Sequence, residues 1–168
     1  PVGNQQFSVE ELRAIVAEAE RHGVHVAAHA HGENGILEAV RAGVRSIEHG
    51  SMLTEDIVRE MIAHGTFLVP TSYLAEAIDL DKLPEPLRKK ARFVLPLARR
   101  SLKLAIDRGV RIAFGTDAAV IPHGVNAREF AVYVKLGMTP LDAIRTATVH
   151  AAALLEKDDR GRIATGAL

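Results

Sequence analysis

Eight histidines and no cysteine restrict any transition-metal site in this chain to imidazole and carboxylate donors, because no thiolate is available. Four segments share one layout: GVHVAAHA from Gly23, GVRSIEHG from Gly43, GTFLVPTS from Gly65 and GVRIAFGTD from Gly109. Each runs from a glycine to a polar residue, and those polar residues are His29, His49, Thr71 and Asp117. Two neutral imidazoles and one carboxylate, His29, His49 and Asp117, make a set that a divalent ion such as Zn2+ accepts while leaving room for water. The same three groups would serve equally as strand ends hydrogen-bonded to loops, and spacing alone does not choose. His31 shares the strand parity of His29, one position higher, and suits a ligand, a hydrogen-bond donor to a reacting carbonyl oxygen, or a loop-packing residue. Tyr73 and His123 follow the third and fourth segments and are candidates for substrate contact. Glu48 has opposite parity to His49, which predicts that it faces the helices and forms a structural pair with an arginine. His22 and His64 precede helix-ending glycines, His25 opens a strand and His150 lies in TVHAAALL; these four read as structural.

Positioning these groups requires helices that stop at the glycines and short strands that follow them. Ser8 and Glu11 form a capping box ahead of a helix with Leu12, Ile15, Val16 and Ala19 on one face. Asn34 is expected to start a second helix carrying Ile36, Leu37 and Val40, and Thr54 a third carrying Ile57, Met61 and Ile62. A longer helix from about Pro86 to Arg108 should be kinked or divided by Pro96. Two more are predicted over 126–136 and, after Thr139–Pro140, over 141–155. Strands alternating with helices imply a parallel α/β sheet. Two architectures compete: a doubly wound open sheet, and half of a (β/α)8 barrel. Strand parity favours the barrel, because His25, Ala27, His29 and His31 share one small or polar face while Val24, Val26 and Ala28 share an apolar one.

With 21 basic and 21 acidic residues mixed along 168 positions, 48% of them hydrophobic, disorder is excluded and nothing electrostatic points to nucleic acid or an anionic membrane. A small molecule or a protein is the expected partner. No apolar run approaches the ~20 residues needed to span a bilayer, and the absence of cysteine fits a soluble cytoplasmic protein.

In the order HAHG, IEHG and GTDA, with their flanking segments FSVEELRAIVAEAERHGVHVAAHAHG, AGVRSIEHGSMLTEDIVREMIAHGTFLVPT and GVRIAFGTDAAVIPHGVNAREFAVYVKLGMTPLDAIRTATVHAAALL, the chain resembles the metal-dependent amidohydrolase superfamily. Its imidazolonepropionase-like and prolidase-like branch matches best. The resemblance implies a (β/α)8 TIM barrel that opens C–N bonds of amide-like substrates, with residues 1–168 as the C-terminal half, strands five to eight. His29, His49 and Asp117 then look like metal ligands at the ends of strands five, six and eight, with Asp117 also taking the proton of the attacking water. The family's first-strand HxH pair and fourth-strand lysine have no counterpart here, and His150 stands where relatives often have Asn. By itself the chain is therefore expected to keep a residual site, to bind zinc weakly or not at all, and to hydrolyse nothing. An open half-barrel should also self-associate or pair with a complementary half. The non-enzymatic alternative is a half-barrel acting only as an assembly or interaction unit.

Overall fold

All four glycines that open the repeated segments are left-handed, with φ of 66° at Gly23, 97° at Gly43, 67° at Gly65 and 74° at Gly109. An L-residue pays for this conformation, so glycine is where a helix ends and the chain turns into a strand. The computed structural model describes residues 3–168. In chain order the elements are α1 (Val9–Arg21), β1 (Ala27–Ala30), α2 (Glu33–Ala42), β2 (Ser46–His49), α3 (Glu55–His64), β3 (Phe67–Val69) and α4 (Leu74–Ala77). A 3-10 turn (Leu80–Lys82) follows, then α5 (Glu85–Arg108), α6 (Arg128–Lys135), α7 (Pro140–Ala147) and α8 (Val149–Leu154).

The strands pair in parallel in the order β1-β2-β3, with Ala27 opposite Ser46 and His29 opposite Glu48, and Ser46 opposite Phe67. The expected fourth strand is reduced to one parallel bridge between Leu68 and Ile112. Leu68 N donates to Arg111 O at 2.8 Å and Ala113 N to Leu68 O at 3.0 Å, but Phe114 N turns away to Thr146 O of α7 at 3.0 Å. Phe114 N lies on the edge facing away from β3, as alternate amides of a strand do, and the next bond of the ladder would need an N–H from Pro70, which proline lacks, so the ladder ends there.

One face of the sheet carries the main core, where Ile47 and Leu68 pack with Ile36 and Val40 of α2, Ile57 and Met61 of α3, and Leu102 and Ala105 of α5. On the other face Phe67, Val69 and Ala113 form a smaller cluster under Ala153 and Leu154. Ala27 and His29 are exposed there while Ala28 and Ala30 are half-buried, which is the division expected from strand parity.

Several helix boundaries differ from expectation. The capping box at Ser8 and Glu11 forms, yet of the anticipated apolar face only Val16 is buried and Ile15 stays exposed. Gly32, not Asn34, caps α2 and supplies no side-chain bond. A Cβ at Gly32 would lie 1.9 Å from Gly3 O, so no capping side chain fits. Thr54 caps α3 as anticipated. Pro96 lies inside an undivided 24-residue α5 on its exposed side. The predicted final helix breaks at Thr148 (φ −119°, ψ −91°) into α7 and α8.

Candidate metal centre

His29 and His31 project from the end of β1 and the residue beyond it, and His49 ends β2. His49 has a left-handed backbone (φ 71°), as do Thr71 (50°) and Asp117 (51°). These are three of the four polar residues that close the repeated segments, and none is glycine. The conformation has a geometric effect at His49. Regular alternation would put its ring on the side of its register partner Ala30, opposite His29. The left-handed turn redirects it, so that the His29 and His49 rings meet edge-on with centroids 4.5 Å apart. His31 completes the group, 4.8 Å from His29 and stacked on His49 at 5.0 Å. One ring nitrogen from each of the three imidazoles lies within 4.8 Å of the others.

Glu48 departs from expectation. As the register partner of His29 it stands on the same face of the sheet, away from α2, α3 and α5, and no arginine pairs with it among the described residues. Ser46 Oγ donates to its carboxyl at 2.6 Å instead. Burial raises the Glu48 pKa, against the opposing pull of that hydrogen bond and of His29.

Burial pushes His49 down to about 4, assisted by His29 and His31 and opposed by the negative charge of Asp117. Burial and then His29 lower His31 as well. Both rings are consequently neutral at pH 7, the form in which imidazole binds metal. Each has a hydroxyl partner, Thr71 Oγ1 at 2.7 Å from His49 Nδ1 and Ser51 Oγ at 2.8 Å from His31 Nδ1. A cavity of about 80 Å³ borders His31, His49, Ser51 and Thr71, walled by Leu95 and Leu136.

The other sequence candidates fall around this centre. Asp117 is exposed and outside the three-imidazole group, though near enough for its charge to act on His49. Tyr73 is buried, and its hydroxyl accepts from Arg128 Nη1 at 2.8 Å. His123 is exposed between Pro122 and Gly124. His22 pairs with Glu18, His25 with Glu156 and His64 with Glu60, while His150 Nδ1 binds the Ile112 carbonyl at 2.9 Å.

Two supporting residues escaped the sequence reading. Ser101 of α5 is buried, accepts from Leu53 N at 2.8 Å and donates to Ser51 O at 2.8 Å, which fixes the loop carrying the His31 partner. Glu129 of α6 is 0% exposed, and its two oxygens accept from Ser72 N at 2.7 Å and Tyr73 N at 2.5 Å. Its spacing of three and four from Val132 and Tyr133 puts it on the apolar stripe of α6, a signal that was present in the sequence.

No helix among the described residues is long and apolar enough to cross a membrane. A model of the amidohydrolase family matches residues 1–168. The ochratoxinase of Aspergillus niger is 44% identical over 151 residues, covering 87% of this chain and 31% of that protein. The imidazolonepropionase of Deinococcus deserti is 30% identical over 168 residues, 96% of this chain and 38% of that protein. Among solved structures, a Xaa-Pro dipeptidase with methionine bound in its active site superposes with a TM-score of 0.95 at 42% identity, over 99% of this chain and 42% of its own. The chain thus spans less than half the length of each relative. With a match that runs from the first residue to the last, the chain belongs to the amidohydrolase family.

Proposed function

We propose that these residues form strands five to eight, with flanking helices, of a TIM-barrel amidohydrolase that hydrolyses C–N bonds in small substrates: Xaa-Pro dipeptides, N-acyl amino acids or imidazolonepropionase-like cyclic amides. The observation that carries this reading is the cluster of His29, His31 and His49, three imidazoles gathered at strand ends with ligand nitrogens within 4.8 Å. The donor chemistry fits a divalent ion, zinc foremost, because burial keeps His31 and His49 neutral. His29, His49 and Asp117 would hold it, with His31 beside them. A bound zinc ion supplies a water of lowered pKa and polarises the scissile carbonyl. Asp117 accepts the proton of the attacking water and delivers it to the leaving nitrogen. His31 donates a hydrogen bond to the substrate carbonyl, and His123 contacts the substrate from its exposed loop. Tyr73 acts through Arg128, since its hydroxyl already accepts from that guanidinium.

Taken alone, the chain keeps only part of a two-metal site and is inactive. It self-associates or pairs with a complementary half-barrel, a reading supported by the outer edge of β1, which no strand among the described residues covers, and the exposed Ala27 and His29 beside it. A cysteine-free chain suits the cytoplasm. Zinc calorimetry and a dipeptide and N-acyl amino acid panel test the reading. The chain alone should bind weakly and turn nothing over, and tight one-to-one binding by the monomer would overturn the inactive assignment. In a protein completed by the first half-barrel, His29→Ala and His49→Ala should each abolish hydrolysis; full activity in either would remove that histidine from the site.

A further inference from the structure

Thr71 Oγ1 sits 2.7 Å from His49 Nδ1 and 2.8 Å from the carbonyl oxygen of Pro70. A hydroxyl has one proton to donate and two lone pairs to accept with, so it cannot donate in both directions. Pro70 is buried, and no other donor to its carbonyl is found among the described residues. Giving the proton to His49 would leave that acceptor without a protein donor among the described residues. The hydroxyl therefore donates to Pro70 and accepts from His49, which puts the imidazole proton on Nδ1 and leaves Nε2 bare.

The hydroxyl is held in place from outside the histidine cluster. Thr71 is left-handed (φ 50°), and the two amides that follow it are gripped by the buried Glu129 carboxyl. His31 is treated differently. Its Nδ1 meets Ser51 Oγ, and that hydroxyl has no second partner among the described residues, so either group can carry the proton between them.

Building on the metal-site reading above, we propose that Thr71, clamped through its turn by Glu129, is a positioning residue that locks His49 in the Nδ1–H tautomer and so presents the Nε2 lone pair before a divalent cation arrives. The tautomer of His31 is not imposed. The lock acts in the metal-free protein, and the group it prepares for is a cation that prefers imidazole nitrogen, such as zinc.

The test is the two-bond 1H–15N spectrum of the metal-free full chain labelled at histidine nitrogen. His49 should show a protonated Nδ1 and a bare Nε2. Thr71→Val keeps the branched shape and the backbone cost but removes the hydroxyl, and it should move both resonances toward averaged values. Thr71→Ser should restore the original pattern. Zinc affinity should fall roughly 10- to 100-fold in Thr71→Val, the range seen when a ligand's hydrogen-bond partner is removed. A wild-type spectrum with the proton on Nε2, or an unchanged pattern in Thr71→Val, overturns the proposal. The wild-type spectrum decides even if the valine variant does not fold. Failure of zinc to bind a protein completed by the first half-barrel, when the wild-type chain shows the expected tautomer, would count against the metal reading alone.

Discussion

The Glu48 carboxyl and the His29 ring stand on the same face of the sheet because the two residues are register partners across β1 and β2. The carboxyl is thereby half-buried beside the imidazole cluster, with Ser46 Oγ as its hydrogen-bond donor. Burial holds its pKa above the ordinary 4.5, so the native state keeps this proton more tightly than the unfolded chain does. The associated stability is full below 4.5 and is lost as pH rises from there through the folded value. Glu48→Gln still offers Ser46 an acceptor and should flatten that decline. Urea unfolding midpoints measured from below 4.5 to neutrality check it, and parallel curves for the two proteins would refute the assignment.

Glu129→Gln should destabilise the fold by about 1–3 kcal/mol, because an amide has one acceptor oxygen where the carboxylate had two, and its NH2 would face a backbone N–H. Denaturant unfolding reads the loss. A change within error would mean that water replaces one of the two bonds to Ser72 and Tyr73.

Replacing Ser101 with alanine removes both the acceptor for Leu53 N and the donor to Ser51 O. A loss of about 1–3 kcal/mol is expected, since both backbone groups are left unpaired. If Ser101→Ala unfolds at the wild-type denaturant midpoint, the clip between α5 and the β2–α3 loop contributes nothing.

Gly115 and Gly109 make a paired test of crowding against backbone strain. A Cβ at Gly115 would fall 2.4 Å from Val69 Cγ1, whereas at Gly109 it would meet nothing within 4 Å but would have to accept φ +74°. Gly109→Ala should cost about 1 kcal/mol. Gly115→Ala should cost more, about 1–3 kcal/mol, because Val69 has to move. Equal unfolding midpoints for the two variants would show that the β3 segment yields freely.

Sedimentation of the chain at rising concentration should show association, since among the described residues no strand pairs with the outer edge of β1, and Ala27 and His29 lie open beside it. A single monomeric species throughout that range would disprove this.

What was readable beforehand was whatever depends on local preference. The helix-ending glycines, the Ser8 and Thr54 caps and the polar residues closing each strand all follow from short-range chemistry. What was not readable depends on distant partners. The last strand shrank to a bridge because its register on β3 sets it against Pro70, which has no N–H to donate to it. Glu48 lies on the face that regular alternation through His49 would deny it, because the left-handed backbone of His49 breaks that alternation. Glu129 went unnoticed because its partners are the amides of Ser72 and Tyr73, more than fifty positions away.

On the proposed function, the left-handed backbone at His49, Thr71 and Asp117 would set stability and activity in opposition at the same three positions. Each L-residue forgoes about 1–2 kcal/mol relative to a relaxed conformation, and glycine or asparagine would recover part of it. Selection for stability alone would drift toward those residues and remove His49 from the histidine cluster. Under the proposed function such strain is kept by the site's demands, and these strand ends would be the place where loss of activity in a descendant first shows as a gain in thermal resistance.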